Sequence, residues 1–247
     1  MKWFLFIALT FIAVKPLYAT DVYSPIAVIE LFTSEGCSSC PPADMLLAKL
    51  AVASRENGIR VFPLSFHVDY WNYLGWRDPY SQKDFSNRQA WYASQLNDNT
   101  YTPQAVINGR YSVIGSDTKK VQGLINKSLR EPASVDIQLK LVSVDEKKIL
   151  AAFHLNGQWQ KKNLAVALVE RGLVSDVTRG ENAGRKLLHE NVVRQFKTLI
   201  PDNNEGSFIF QAPLLAHLEK YSLIAYVQDT VIPEILGASR LDLPAVQ

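Results

Sequence analysis

The two cysteines of this 247-residue chain, Cys37 and Cys40, are separated by two serines. The short apolar run before them, residues 27–32, predicts a buried strand. From Pro42 onward the apolar residues recur at helical spacing, which predicts a helix with proline in its first turn. The cysteines therefore fall at a strand-to-helix junction, where the free amides and dipole of the helix favour a thiolate on the first cysteine. This pattern is typical of a site for thiol–disulfide exchange.

Other interpretations of the cysteine pair stay open. A disulfide across two residues could be structural, although so small a ring stabilises a fold little. Half of a zinc site is disfavoured because the chain has no second cysteine pair. Glu35, two residues before Cys37, would raise the pKa of that thiol and so weakens the case for a reactive thiolate.

The start of the chain predicts export. Lys2 is followed by an apolar run, residues 3–14, that is too short to span a bilayer, and residues 17–19 end in a small residue suited to cleavage. We interpret residues 1–19 as a signal peptide, so that the mature protein is periplasmic or secreted and has no membrane span. Without that segment basic and acidic residues are equal in number, which does not indicate a nucleic-acid partner. Outside the cytoplasm the two cysteines are expected to be paired.

A second strand is predicted over residues 59–68, parallel to the first because a helix crosses between them. The following segment is aromatic yet rich in turn residues, and we predict an ordered loop at the sheet edge where ligands bind in open α/β sheets. Trp71 and Trp76 would form an apolar wall beside the cysteines, and His67 or Asp69 would handle protons. The same aromatic residues could instead only pack against one another.

The rest of the chain divides into two patterns. Residues 81–97 predict a helix, residues 101–115 a Thr-Pro-led hairpin, and residues 117–130 a third helix. From residue 135 the period becomes two, and several short strands, including one over residues 186–196, predict an antiparallel β-sandwich. Residues 214–221 could form a short helix. The remaining histidines show no ligand spacing and are interpreted as structural; they are His154, His189 and His217.

The order of these elements, a strand ending in Cys-Ser-Ser-Cys, a helix, a strand, a helix, a Thr-Pro hairpin and a closing helix, resembles the thioredoxin fold over residues 25–131. In that superfamily the matching proline is cis and lies beside the cysteine pair, and the backbone before it pairs with substrate. The resemblance therefore implies that Pro103 and Thr102 position the substrate.

A closer resemblance extends over the whole mature chain. The stretches ELFTSEGCSSCPPAD (residues 30–44), HVDYWNYLGW (67–76) and YTPQ (101–104), with residues 185–194, are similar to the secreted thioredoxin-like family catalogued as domain of unknown function 1223. Relative to better-known thioredoxins, Gly36 replaces the tryptophan before the first cysteine. Leu31 replaces the buried acid, which leaves Glu30, one residue earlier, as a candidate for proton transfer if the strand is shifted.

Together these observations predict an α/β plus β protein: a signal peptide (1–19), a thioredoxin-like domain (20–131) and an antiparallel β-sandwich-like domain (132–247). The predicted function is thiol–disulfide exchange on protein or small-thiol substrates with a redox partner protein and no cofactor. Cys37 would attack or be attacked, and Cys40 would resolve the mixed disulfide. Two alternatives are an envelope chaperone that binds copper through the cysteines and His67, and a non-catalytic binding protein with a structural disulfide.

Overall fold

The computed structural model describes residues 22–213 and 215–245, so the predicted signal peptide lies outside the described residues. The three α-helices of this part of the chain are α1 (Pro41–Asn57), α2 (Lys83–Leu96) and α3 (Thr118–Ser128). Its strands are β1 (Ala27–Thr33), β2 (Val61–His67), β3 (Gln104–Ile107), β4 (Tyr111–Ile114), β5 (Val135–Val144), β6 (Lys148–Gly157), β7 (Asn163–Glu170), β8 (Leu173–Asp176), β9 (Lys186–His189), β10 (Val192–Leu199), β11 (Glu205–Gln211), β12 (Tyr221–Gln228) and β13 (Ile235–Asp242).

The strand and helix predicted around the cysteines are confirmed. Every residue of β1 and of its parallel neighbour β2 is buried, as expected for strands covered on both faces. Helix α1 begins with two prolines, which cost nothing where the amide groups have no helical partner. It ends at Gly58, whose φ of 64° is the left-handed conformation that glycine adopts readily after a helix. The second strand, the hairpin and the other two predicted helices are also present within one to two residues.

Strands from both halves of the chain form one eight-stranded sheet in the order β13-β12-β7-β10-β2-β1-β3-β4. The halves join where β10 runs parallel to β2, with Val192 opposite Ser65. A separate three-stranded sheet has the order β11-β6-β5, and β8 and β9 form a hairpin. The division at residues 131 and 132 into a thioredoxin-like and a sandwich-like domain stays a prediction, and the large sheet crosses that boundary.

The large sheet is covered on both faces. One face of β1, β2, β7 and β12 packs with α2 in a single apolar cluster that contains Phe66, Phe85 and Tyr92. The opposite face is covered by α1 and α3 near β1 and β3. Farther along, the three-stranded sheet packs on β7 and β12 from that same side. Because side chains alternate along each strand, neighbouring residues of β1 contribute to different clusters.

The single strand predicted over residues 186–196 is wrong in one respect. The structure divides it into β9 and β10, which belong to different sheets. Asn191 between them has a φ of 49°, a left-handed conformation that asparagine tolerates better than most residues and that an extended strand does not contain. The turn places His189, the last residue of β9, in a buried position next to α1.

Two smaller findings complete the fold. The helix predicted near residues 214–221 is observed as two short 3₁₀ turns within Leu215–Lys220, separated by a kink at His217. Within residues 22–213 and 215–245, no helix combines the length and apolar character needed to cross a bilayer.

Candidate functional site

The cysteine pair lies where β1 turns into α1. Cys37 and Cys40 are joined by a disulfide, and Cys40 is the residue that caps the helix. Its backbone amide donates to the Cys37 carbonyl at 3.2 Å, which closes the tight turn. Cys37 is 2 % exposed and Cys40 is fully buried, whereas Ser38 and Ser39 between them are exposed. A reacting partner must therefore approach from the serine side of the turn.

The aromatic loop and the Thr-Pro hairpin lie against this turn. The indole nitrogen of Trp71 donates to Thr102 Oγ1 at 2.7 Å, and the hydroxyl of Ser39 lies 3.5 Å from the Thr102 carbonyl. The peptide bond between Thr102 and Pro103 is cis. A Cβ at Gly36 would lie 3.0 Å from the Cβ of Trp71, so a larger residue there would push the loop outward by a few tenths of an ångström. The predicted substrate-positioning residues are thus assembled around the cysteine turn.

Behind the disulfide is the fully buried carboxylate of Glu35. Trp76, the other predicted wall residue, donates from its indole nitrogen to Glu35 Oε2 at 2.7 Å. On the other side, His189 Nε2 lies 3.1 Å from Glu35 Oε1. The aromatic loop and the second half of the chain therefore meet at one carboxylate, two residues before Cys37.

His67 is paired with an acid that sequence reasoning did not single out. His67 Nδ1 lies 2.7 Å from Asp78 Oδ2, and both side chains are fully buried. Burial opposes the charged imidazolium, but the charge and hydrogen bond of Asp78 outweigh burial and raise the pKa of His67 above 6.5. Burial likewise raises the pKa of Asp78, yet His67 prevails and holds that pKa below 3.8. The pair favours a charged histidine at the end of β2.

A loop from the second half of the chain holds the cysteine turn from outside. The side-chain amide of Asn182 donates to the carbonyls of Glu35 and Cys37, at 2.8 and 2.9 Å. Next to it, Glu181 Oε2 accepts a hydrogen bond from the backbone amide of Ser38 at 3.0 Å. Hydrogen bonds from the Ser38 side chain and then from this amide lower the pKa of Glu181. The cysteine turn therefore depends on hydrogen bonds from residues in the second half of the chain.

The structure places two predicted proton-transfer residues in other contacts. Glu30 lies on the face of β1 opposite α1 and is held by Arg88 through two hydrogen bonds of 2.5 and 2.8 Å. Tyr92 also donates to Glu30, at 2.6 Å. Asp69 accepts a hydrogen bond from the Ser86 hydroxyl at 2.5 Å. Among the hydrogen bonds of the described residues, neither Glu30 nor Asp69 contacts a cysteine. Their roles in proton transfer stay predictions.

The residues that sequence reasoning missed are mostly distant in the chain. His189 was interpreted as structural, and Glu181 and Asn182 as part of a solvated loop, because nothing in their spacing relates them to residues 37–40. Asp44 did carry a signal: it lies on the same helical face as Ala43 and Leu47, and an acid on an apolar face is unusual. In the described part of the chain, no cluster of three or more histidine, cysteine, aspartate or glutamate side chains is placed to hold a metal ion.

Comparison with known proteins relates this chain to a family. In fold and sequence the chain is similar to the crystal structure of protein AGR_C_4864 from Agrobacterium tumefaciens, with a TM-score of 0.70 and 31% identity over 93% of this chain and 98% of that one. A domain of the outer membrane lipoprotein Omp28 from Porphyromonas gingivalis matches weakly, with a TM-score of 0.28 and 17% identity over 45% of this chain and 88% of that domain. No curated protein matches the chain. Because a family model matches residues 28–228, the chain belongs to the family described as protein of unknown function, DUF1223.

Proposed function

We propose that this protein is an exported thiol–disulfide oxidoreductase that acts on protein or small-thiol substrates. The observation that carries the proposal is the disulfide between Cys37 and Cys40 at the start of α1, with Thr102 beside the intervening serines. The exposed turn gives a substrate access from one side. We include three expectations in this proposal: the first half of the chain has a thioredoxin-like fold, the protein is exported, and a redox partner protein reacts with the cysteine pair.

The reaction follows from the two positions. A substrate thiolate attacks Cys37 Sγ, a mixed disulfide forms, and Cys40 leaves as a thiolate that later attacks in the reverse step. Cys40 is suited to this resolving role because it is fully buried at the helix start, where the amides of the first turn stabilise negative charge. The Thr102 carbonyl lies close enough to the turn to accept a hydrogen bond from a bound peptide.

The first test is the equilibrium reduction potential of the pair in glutathione buffers, measured after trapping free thiols. A potential of roughly −270 to −120 mV would lie within the range of exchange proteins. The second test is trapping of substrate. We expect Cys40→Ser to accumulate mixed disulfides with a disulfide-containing peptide, and Cys37→Ser to accumulate none. A Ser38→Ala variant, which keeps both thiols, should behave like the wild type. Equal trapping by both cysteine variants would contradict the assignment.

A non-catalytic binding protein with a structural disulfide is the second candidate. The burial of both cysteines favours it, as does the 79% exposed side chain of Tyr73 in the aromatic loop. A reduction potential below about −300 mV would favour this candidate over exchange.

A further inference from the structure

Near the start of α1 lies a buried polar cluster that has no role in the exchange between Cys37 and Cys40 proposed above. We define it by its four central members, Thr33 at the end of β1, Asp44 in α1, His67 at the end of β2 and His189 at the end of β9. None of them is more than 5% exposed. The cluster therefore gathers one side chain from each of four elements that converge at the cysteine turn.

Each member of this buried polar cluster has an unsatisfied atom. Within residues 22–213 and 215–245, the atoms Thr33 Oγ1, Asp44 Oδ1, His67 Nε2 and His189 Nδ1 are buried and make no hydrogen bond of 3.5 Å or less. The Thr33 hydroxyl still lies close enough to the Asp44 carboxyl to lower its pKa. Buried polar atoms are nearly always paired, and each exception in a native structure calls for an explanation. Four exceptions in one cluster require an explanation, and a role in proton transfer is one that suits titratable side chains.

The members are close enough to influence one another. The rings of His67 and His189 have centroids 4.9 Å apart, and Thr33 is paired with His67 in the register of β1 and β2. Burial raises the pKa of Asp44, and the charges of His189 and His67, which lower it, only partly oppose this. Asp78 contacts His67 and Glu35 contacts His189. The Tyr80 ring also faces both histidines, with centroid distances of 5.3 and 5.8 Å.

Asp44 is the member of the cluster that lies on α1, four residues after Cys40. Its backbone amide donates to the Cys40 carbonyl at 3.1 Å, the first full turn of α1. Residues four apart on a helix lie on one face, with Cβ atoms about 5–6 Å apart. Cys40 and Asp44 are both buried, and the charges of His189 and His67 act on the Asp44 carboxyl. Asp44 therefore shares a helical face with Cys40 and also lies near the two histidines.

We propose that Asp44 is the proton partner of Cys40, and that His67 and His189 stabilise the carboxylate formed when it gives up its proton. This inference rests on the proposed exchange function. When a thiolate attacks Cys37 Sγ, the new S–S bond forms and the electron pair of the broken bond goes to Cys40 Sγ. Asp44 then transfers its proton to that sulfur, which gives a Cys40 thiol and an Asp44 carboxylate. In the reverse step the carboxylate takes the proton back as Cys40 attacks the mixed disulfide.

The test measures the rate at which dithiothreitol reduces the disulfide, at pH values from 5 to 9 in steps of about half a unit. Each rate is divided by the concentration of dithiothreitol thiolate at that pH to give a rate constant. In the wild type this rate constant should fall as pH rises, because the protonated form of Asp44 is lost. Asp44→Asn should slow reduction tenfold or more at the acid end and remove the pH dependence. Asp84→Asn is the matched control, an exposed aspartate in the first turn of α2, and should change nothing.

The outcomes separate this inference from the function on which it rests. A wild-type disulfide that dithiothreitol never reduces would overturn both. If the wild type reacts normally and the Asp44→Asn variant has the same rate and pH profile, only the role of Asp44 is overturned. A slowed variant that keeps the pH dependence would also overturn it, since the titrating group would then be one other than Asp44. If Asp44→Asn does not fold, Asp44→Glu must shift the midpoint of the profile, and an unshifted midpoint would refute the proposal.

Discussion

The buried pair of Glu30 and Arg88 offers a quantitative test of what holds the two halves of the chain together. Glu30 is 1% exposed and Arg88 is 11% exposed, so solvent screens the pair little. Arg88 also donates to the hydroxyl of Tyr226 at 2.8 Å, and that hydroxyl donates to Glu30 at 3.0 Å. Since Tyr226 belongs to β12 and Glu30 to β1, the cluster connects strands from opposite halves of the sequence.

Removing one partner leaves a buried charge without its counterion. We expect Arg88→Leu to lower the free energy of unfolding by about 3–5 kcal/mol, because the Glu30 carboxylate then keeps only tyrosine donors. With a slope of about 4 kcal/mol per molar in guanidinium, this shifts the unfolding midpoint by roughly 1 M. The double variant Glu30→Leu with Arg88→Leu should cost less than Arg88→Leu alone, since neither charge remains to be desolvated.

The assay is guanidinium unfolding of the wild type, both single variants and the double variant, followed by circular dichroism and tryptophan fluorescence. The matched control is Asp176→Ala, which breaks the exposed 3.7 Å pair with Lys186 and should cost no more than about 1 kcal/mol. An Arg88→Leu variant no less stable than this control would refute the reasoning. Glu30→Leu should leave the pH profile of disulfide reduction unchanged, whereas loss of that profile would favour the predicted role of Glu30 in proton transfer.

Two further predictions concern the site itself. Burial lowers the pKa of His67, but Asp78 raises it by more, so the stability from this charged pair is complete between pH 3.8 and pH 6.5. It is lost as pH rises through the raised pKa of His67. Denaturation across that range should show the decline in the wild type and not in Asp78→Asn. Asn182→Ala frees the Cys37 carbonyl and should lower stability by about 1–3 kcal/mol while speeding disulfide reduction by dithiothreitol. Asn191→Gly, which frees a carbonyl away from the cysteines, should lower stability without changing that rate.

Local patterns were sufficient to predict the cysteine turn. A buried strand, a helix that opens with prolines and two cysteines between them depend on neighbours a few residues apart, so β1 and α1 could be placed from period and turn residues alone. The hairpin led by Thr102 was found in the same way. These features express local propensity, which any segment carries in its own sequence.

The surroundings of that turn depended on tertiary structure. The turn at Asn191 decides that β10 joins β2, and the same turn leaves His189 at the end of β9, where it meets a glutamate 154 residues earlier in the chain. Asn182 reaches the Cys37 carbonyl across a comparable separation. No periodicity relates such residues, because their contact is created by strand pairing between distant segments. The sequence by itself determined the cysteine pair and its helix, and only the tertiary structure decided which charged groups surround it.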